Sequence, residues 1–324
     1  MNVGIVGLGH LGKIHLKLVS EISEFNVCAI YDIDKSVIAN LSYQNNVKIC
    51  DSYEELLSLC ESVLIITPTP THFDLASKAI KNGKHVFIEK PATDNPNDTK
   101  KLNRLSKEAG VIVQVGHVER FNPAFTAAKE FMTNPQHINL ERLACYNSRG
   151  TDVSVVMDLM IHDIDLLLNT IKSKIKKISA TGAIIVSKTA DLAYVRIEFE
   201  NGCIANLTAN RVALQNVRKM DVFQDNTFIN IDLLNKSTTI HSILPKNTSL
   251  NNKGIIIDPG AGQQKFEILH NQPIINPVNA IKTELECFYK SITHDAPLAV
   301  SLSDAEIALQ VVQDIDFQIH PIKR

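Results

Sequence analysis

The chain has 324 residues, of which 44% are hydrophobic and 21% are charged. This length predicts roughly two domains of about 150 residues each, and the composition is that of a globular protein and not of a disordered one. The 33 Lys and Arg residues nearly balance the 35 Asp and Glu residues, and the net charge is −2. With the two signs interspersed, the sequence predicts neither nucleic acid nor an anionic membrane surface as a partner.

Hydrophobicity and cysteine usage indicate a cytoplasmic protein. The longest apolar runs, such as Val63–Ile66, fall far short of the roughly 20 residues that a membrane-spanning helix needs. The six cysteines are scattered without a C-x-x-C pair, which predicts free, mostly buried thiols in a reducing compartment. Because the apolar run Val3-Gly4-Ile5-Val6 lies at the very start, we expect no signal peptide.

The first 120 residues alternate short apolar runs with helical segments. Continuous hydrophobicity predicts strands that are buried on both faces, as in a parallel sheet. The predicted strands are Val3–Val6, Val27–Tyr31, Val47–Ile49, Val63–Ile66, His85–Ile88 and Val111–Val115. The predicted helices are Leu11–Ile22, Ser36–Tyr43, Glu54–Leu59, Phe73–Lys81 and Pro96–Ala109. This alternation predicts a doubly wound α/β domain over residues 1–121.

The pattern changes after Phe121-Asn122-Pro123, and residues 122–324 are predicted to form a second, α+β domain. Its sheet should be large, open and mainly antiparallel, with hairpin turns such as Asn201-Gly202. The predicted strands are Leu140–Tyr146, Ala190–Phe199, Cys203–Asn210, Arg218–Val222, Phe228–Leu233 and Thr238–Ile243, in a series that runs from Ile175 to about Ile257. The predicted helices are Ala124–Phe131, Val155–Leu168, Val278–Ser291 and Asp304–Phe317.

The segment Gly7-Leu8-Gly9-His10-Leu11-Gly12 has the pattern G-x-G-x-x-G between the first predicted strand and helix. These glycines let the backbone turn tightly and approach a pyrophosphate at the helix N-terminus. Asp32 follows the second strand, where its carboxylate would bind the adenosine ribose and repel a 2′-phosphate. We therefore predict a Rossmann domain that binds NAD in preference to NADP. The alternative is a tight turn with an acidic residue at the start of a helix.

Two further loops follow strands of the same predicted sheet. Thr67-Pro68-Thr69-Pro70-Thr71-His72 follows the fourth strand, and Glu89-Lys90-Pro91 follows the fifth. Ligands of open α/β sheets bind outside the carboxyl ends of the strands. We therefore predict cofactor contacts by Thr67, Pro68, His72, Glu89 and Lys90, and we expect Lys90 beside the nicotinamide, where it can take part in proton transfer. The alternatives are a helix cap at Thr71 and a charged loop before a helix-starting proline.

An acidic motif with one histidine lies in the second half. Asp158 and His162 are four residues apart and Asp165 follows three later, so an α-helix would place all three on one face. A carboxylate and an imidazole on one face can bind a polyol and remove a hydroxyl proton. The alternative is an ordinary i,i+4 pair on a solvated helix face. No metal site is predicted, because one histidine without further ligands has no metal spacing.

Together these motifs resemble the Gfo/Idh/MocA (glucose–fructose oxidoreductase/inositol dehydrogenase) family over nearly the whole chain. The resemblance implies that Lys90 and His162 are the catalytic pair and that Asp158 binds substrate hydroxyls. It also implies a cis Lys90-Pro91 bond, a sheet face that mediates assembly into a homodimer or homotetramer, and a closing strand and helix. The residues that carry it are Thr67-Pro68…His72, Gly83–Pro91, Asp158-x-x-x-His162-x-x-Asp165 and Pro297-Leu298-Ala299-Val300 before Asp304-Ala305.

The runs Val115–Ala124 and Val155–Asp165 are similar to one group within that family, the UDP-N-acetylglucosamine 3-dehydrogenases. This narrower resemblance implies NAD-dependent oxidation of a secondary hydroxyl on a sugar ring, at C3 of a UDP-linked N-acetyl sugar. The predicted substrate-binding residues are Arg120, Asn122, Arg149, Asp158 and Asp165, of which all but Arg149 lie in these two runs.

Two alternatives remain open at this point. One is a dehydrogenase of the same family that acts on inositol, a free sugar, a dihydrodiol or a tetrapyrrole. The other is a non-catalytic NAD(H)-binding redox sensor, although a sensor would need neither Lys90 nor His162. Either of these two residues could be the base, since closely coupled groups titrate as a unit.

Overall fold

A computed structural model describes residues 1–39, 47–246 and 254–319. Contacts group the chain into two units, of which the first is Met1–Val118 with Asn279–Gln310 and the second is Glu119–Val278 with Val311–Arg324. The sequence predicted a single boundary after residue 121. The contacts instead return to the first unit near the end of the chain.

The first unit contains a six-stranded sheet in which all strand pairs are parallel. The spatial order is β3-β2-β1-β4-β5-β6, which is the Rossmann order with its reversal between β1 and β4. This confirms the predicted fold class and locates the ligand-binding crevice outside the carboxyl ends of these strands. The strands are β1 (Asn2–Val6), β2 (Asn26–Tyr31), β3 (Lys48–Ile49), β4 (Ser62–Ile65), β5 (His85–Glu89) and β6 (Val113–Gly116).

The helices between these strands lie where the sequence predicts them, although the predicted helix at 36–43 runs beyond the described residues. Helix α5 shows why its ends were predictable. Asn95 accepts a hydrogen bond from Asp98 N, Pro96 occupies the first turn, and Gly110 ends the helix in the left-handed region at φ +64°. The helices are α1 (His10–Ser20), α2 (Lys35–Ala39), α3 (Tyr53–Leu59), α4 (His72–Lys81) and α5 (Pro96–Ala109).

A late helix, α8 (Ala280–Thr293), explains why residues 279–310 belong to the first unit. Its side chains Leu285 and Phe288 are fully buried in the same apolar cluster as Phe87 of β5. The Phe87 and Phe288 rings meet edge to face, with centroids 6.0 Å apart. Helix α8 follows most of the second unit in the sequence but covers an apolar face of the parallel sheet in the first unit.

The predicted closing strand at 297–300 is wrong. These residues are irregular in the structure, although the Val300 carbonyl accepts a hydrogen bond from Val115 N at 3.2 Å. Pro297 has no N–H to donate, which disfavours a regular ladder at this edge of the sheet.

The second unit is built on a sheet of nine strands among the described residues, in the order β14-β15-β13-β12-β11-β7-β10-β9-β8. All its pairs are antiparallel except β7 with β10, which is parallel. The predicted mainly antiparallel sheet is confirmed. The strands are β7 (His137–Cys145), β8 (Ile175–Ala183), β9 (Leu192–Phe199), β10 (Ile204–Ala213), β11 (Val217–Gln224), β12 (Thr227–Asp232), β13 (Ser237–Pro245), β14 (Ile255–Ile257) and β15 (Phe266–Asn271).

The predicted hairpin turn at Asn201-Gly202 joins β9 to β10. Gly202 has φ +88°, a value that glycine adopts without a steric penalty, and Phe199 N donates to Cys203 O at 2.9 Å.

Among the described residues, three α-helices contribute to the second unit, namely α6 (Pro123–Ala128), α7 (Ile161–Thr170) and the C-terminal part of α9 (Leu302–Gln318). The predicted α-helix at 155–168 is wrong in its first part, because Val156–Met160 form a π-helix ahead of α7. Within the described residues, no helix combines the length and apolar character that crossing a membrane requires.

Candidate active site

The glycine loop between β1 and α1 is fixed by close backbone contacts. Gly7 has φ +87° and donates to Tyr31 O at 3.0 Å, and a Cβ at this position would lie 2.5 Å from Ile66 O. A Cβ on Gly12 would lie 2.0 Å from Gly7 O. By contrast, no described atom lies within 4 Å of a Cβ placed on Gly9. Gly7 and Gly12 are therefore required by the turn itself, while Gly9 leaves open space beside the backbone.

The start of α1 fits a dinucleotide. Its N-cap is Gly9, which offers no side-chain cap, and its first turn contains no acidic residue. The exposed N–H groups of such a turn favour an anion such as a pyrophosphate. The His10 and Leu11 side chains at this end are exposed.

Asp32 lies beside the glycine loop at the end of β2. Its Oδ2 accepts a hydrogen bond from Leu8 N at 2.6 Å, and its Oδ1 accepts one from Asp34 N at 2.9 Å. These bonds hold a partly exposed carboxylate next to the turn that would carry the pyrophosphate. This geometry fits an acceptor for ribose hydroxyls.

The loop after β4 is braced by His72. The Nε2 atom of His72 lies 2.8 Å from Thr67 O, and its Nδ1 atom lies 2.9 Å from Pro91 O. The buried ring thus connects the loops that follow β4 and β5. The Thr71 hydroxyl lies 2.7 Å from Thr67 Oγ1 and 2.8 Å from Pro68 O, and it does not cap α4. Both predicted loops are therefore held at the carboxyl edge of the sheet.

The Glu89-Lys90-Pro91 segment ends β5, and its Lys90-Pro91 bond is cis, as predicted. Glu89 Oε1 lies 2.8 Å from His15 Nε2, and Glu89 Oε2 accepts a bond from Lys90 N at 3.2 Å. Burial alone would raise the pKa of the Glu89 carboxyl. The hydrogen bond and charge of His15, together with the charge of Lys90, outweigh burial and hold this pKa below its usual value.

In the second unit, Asp158 lies in the π-helix and His162 is the second residue of α7. Both are half-buried, whereas Asp165 is buried. The expected α-helical spacing therefore holds between His162 and Asp165, but the π-helix breaks it between Asp158 and His162. π-Helical turns are rare and occur often at functional sites, because they change the direction in which side chains point. A Cβ on Gly150 would lie 2.8 Å from Asp158 Oδ2, so only glycine leaves room for this carboxylate.

Arg120 and Asp165, both predicted to bind substrate, bind each other. Arg120 Nε donates to Asp165 Oδ2 at 2.8 Å and Arg120 Nη2 donates to Oδ1 at 2.6 Å. Asp165 is buried, and the Arg120 side chain is 9% exposed. A bidentate pair of this kind fixes the orientation of both groups, and it ties α7 to the segment before α6.

A second buried ion cluster, which sequence reasoning missed, contains Glu119, Arg142 and Asp163. Arg142 donates to Asp163 Oδ1 through Nη2 at 2.7 Å and to Glu119 Oε1 through Nη1 at 2.9 Å. Burial would raise the pKa of Glu119, but Arg142 and the hydrogen bond from Asn122 hold it below its usual value. Burial raises the pKa of Asp163, against the opposing effect of Arg142.

A signal for this cluster was present in the sequence. Ile138, Leu140 and Arg142 alternate along β7, and all three face inward. The period of a strand therefore placed Arg142 in the core, where an arginine requires an acidic partner.

The other two predicted substrate-binding residues, Asn122 and Arg149, differ in burial. Asn122 is buried, donates to Glu119 and to Leu233 O, and caps α6 by accepting a bond from Ala124 N. Arg149 is exposed, in the loop that leads to Gly150.

That loop is held by Arg211, another residue that the sequence did not point to. Arg211 Nη1 donates to Gly150 O and Nη2 donates to Val153 O, each at 2.7 Å. Buried Arg211 thereby fixes the backbone next to the Asp158 carboxylate.

Comparison with known proteins agrees with this geometry. Residues 1–117 match the oxidoreductase family with an NAD-binding Rossmann fold, and residues 131–228 match the GFO/IDH/MocA C-terminal domain. The UDP-N-acetylglucosamine 3-dehydrogenase of Acidithiobacillus ferrooxidans is 32% identical over 74% of this chain and 77% of its own length. The chain belongs to the GFO/IDH/MocA family. The predicted family, the NAD-binding Rossmann domain and the oxidoreductase class are confirmed.

Similarity extends to a solved structure and to an inositol dehydrogenase. A crystal structure of the Acidithiobacillus enzyme superposes with a TM-score of 0.87 at 27% identity, covering 98% of this chain and 97% of that one. The scyllo-inositol 2-dehydrogenase (NAD(+)) of Bacillus subtilis is 29% identical over 64% of this chain and 67% of its own.

Within the described parts of this family member, no group of three or more His, Cys, Asp or Glu side chains could hold a metal ion.

Proposed function

We propose that this NAD-binding sugar oxidoreductase oxidises the C3 hydroxyl of a UDP-linked N-acetyl sugar. The observation that carries the proposal is the likeness to a UDP-N-acetylglucosamine 3-dehydrogenase, 32% in sequence and 0.87 in TM-score. The half-buried Asp158 and His162 at the start of α7 support a polyol substrate. A carboxylate accepts hydrogen bonds from sugar hydroxyls, and an imidazole accepts a proton.

The first unit would hold the cofactor. The α1 N-terminus beside Gly9 would bind the pyrophosphate, and Asp32 would bind the adenosine ribose. In that position, bound NAD would supply the acceptor for the hydride of the substrate C–H bond.

The chain's own groups would manage the substrate hydroxyl. His162 would accept its proton, Lys90 would bind and polarise the oxygen, and Asp158 would orient the sugar ring. The reverse assignment gives the proton-accepting role to Lys90. In either case, one proton leaves the hydroxyl as the carbonyl forms.

The buried ion pairs of the second unit would position His162. Its neighbour Asp163 is bound to Arg142, and Asp165 is bound to Arg120 through two hydrogen bonds. With both carboxylates fixed in this way, α7 has little freedom to rotate about its axis. A general base is most effective when it is held within hydrogen-bond reach of its proton.

The substrate is tested by following NADH absorbance with UDP-N-acetylglucosamine, UDP-N-acetylgalactosamine, free N-acetylglucosamine and inositols. We expect turnover with a UDP-N-acetyl sugar and little with the others.

Deuterium at C3 of the reacting sugar should slow single-turnover NADH formation, whereas deuterium at C4, the matched control, should not. Turnover of inositol alone would assign the chain to the second candidate, which the scyllo-inositol relative supports. NAD binding without turnover of any of these substrates would favour a redox sensor.

Cofactor choice gives a prediction that rests on Asp32. NAD should bind more tightly than NADP, because a 2′-phosphate would meet the Asp32 carboxylate. Asp32→Ser should narrow the ratio of the two dissociation constants by about tenfold, or about 1.4 kcal/mol. The exposed neighbour Asp34 gives the matched control Asp34→Ser, which should leave the ratio unchanged. Titration of the two cofactors by fluorescence measures this ratio. Tighter binding of NADP by the unaltered protein would refute the role of Asp32.

A further inference from the structure

His15 is a buried polar residue to which the proposed reaction gives no role. It lies on α1 with no exposed surface, and its ring packs against Phe87 with centroids 5.5 Å apart. Its Nε2 atom lies 2.8 Å from Glu89 Oε1, while its Nδ1 atom has no hydrogen-bond partner among the described residues. Buried polar groups are normally hydrogen-bonded, so the single polar contact of this buried imidazole is its main specific interaction. Here the contact is with the residue before Lys90.

The Glu89 carboxylate is confined on two further sides. Its second oxygen accepts the Lys90 N–H at 3.2 Å. Gly116 lies opposite Glu89 in the β5–β6 pair, and a Cβ there would lie 3.0 Å from Glu89 Cδ and 3.1 Å from either carboxylate oxygen. The carboxylate therefore occupies a space that suits one orientation, with one oxygen toward α1 and the other toward the Lys90 backbone.

We propose that His15 is a positioning residue for Lys90 and acts through Glu89. The hydrogen bond from His15 occupies Oε1 and thereby directs Oε2 to the Lys90 N–H. Without a donor at residue 15, the Glu89 carboxylate, whose side chain is only 12% exposed, would have an unsatisfied oxygen and would rotate or take up a proton. Either change weakens the bond that orients Lys90. This inference rests on the proposed catalytic role of Lys90.

The effect should appear in turnover and not in cofactor affinity. His15 is five residues beyond the start of α1, about 7.5 Å along the helix axis from the end that would hold the pyrophosphate. The N–H groups at that end remain in place when the side chain of residue 15 changes. An unchanged NAD dissociation constant therefore shows that α1 is correctly folded in the variant.

The experiment compares His15→Leu, His15→Gln, Gly116→Ala and Lys90→Ala, with His294→Gln at an exposed position as the control. We expect His15→Leu to lower kcat at least tenfold while the NAD dissociation constant changes less than twofold. His15→Gln retains an N–H donor and should recover most of the lost kcat. Gly116→Ala, which crowds the Glu89 carboxylate without altering His15, should lower kcat several-fold with the same NAD affinity.

Several outcomes would overturn the inference. Unchanged kcat in His15→Leu would do so, as would equal losses in His15→Leu and His15→Gln, because the latter would indicate a packing role. If His15→Leu does not fold, unchanged kcat in Gly116→Ala would overturn it instead. Unchanged kcat in Lys90→Ala would refute the proposed function itself. A large loss in Lys90→Ala with none in His15→Leu would refute only the inference.

Discussion

We expect Lys90→Ala and His162→Ala each to lower turnover by about 10²–10⁴-fold, the usual contribution of a positioned acid–base group. The NAD dissociation constant should hardly change, because neither residue is proposed to bind the pyrophosphate or the adenosine ribose. The effects of substituting two groups that act on one proton are not additive. The double variant should therefore lose less turnover than the product of the two single losses. Steady-state kinetics with the reacting sugar and NAD titrations provide both quantities.

The matched controls are Lys100→Ala and His294→Ala, at exposed positions of α5 and just after α8. Both should retain normal kcat. Full turnover in His162→Ala would refute the catalytic role of His162 and leave the start of α7 as an ordinary solvated helix face. Multiplicative losses in the double variant would show that Lys90 and His162 act in separate steps.

Arg142→Leu should cause a large loss of stability in the second unit. It leaves Glu119 and Asp163 buried without the guanidinium that both bind, and breaking a buried ion pair costs about 3–5 kcal/mol. For a unit of this size, we expect the midpoint of thermal unfolding to fall by roughly 6–20 °C.

The control for this prediction is Arg196→Leu. Arg196 pairs with Glu198 at the surface of the sheet, where the two side chains are 46% and 33% exposed, and such pairs contribute below about 1 kcal/mol. Scanning calorimetry resolves the second unit if the two units unfold separately. Equal shifts for the two variants would show that the buried cluster contributes no more than a surface pair.

Features of the first unit were predictable where the signal is local. Most buried parallel strands are uninterrupted apolar runs, such as Val63–Ile66, and the turn after β1 has its own residues, Gly7 and Gly12. The N-cap Asn95 and the C-terminal Gly110 defined both ends of α5. Such signals do not depend on distant parts of the chain, so the order of strands and helices could be predicted from the sequence.

The missed features depend on residues that are far apart in the sequence. Asp158, Asp163 and Asp165 look alike within one short segment, and only their partners separate them. Asp163 is bound by Arg142 and Asp165 by Arg120, whereas Asp158 lies in a π-helical turn. Periodicity assumes 3.6 residues per turn, so it could not place Asp158, which lies in the π-helix, relative to His162. The return of α8 to the first unit depends in the same way on which apolar face needs covering.

The position of β7 has a consequence for how the second unit folds during synthesis. This strand lies between β10 and β11, although those two strands are separated in the chain by residues 214–216 alone. Sequence neighbours joined by so short a link pair readily as a hairpin, which here would exclude β7. On the ribosome, β7 emerges first and both of its neighbours follow later, at roughly 5–20 residues per second. An interior strand of the sheet is therefore synthesised before both of its neighbours and waits several seconds for them.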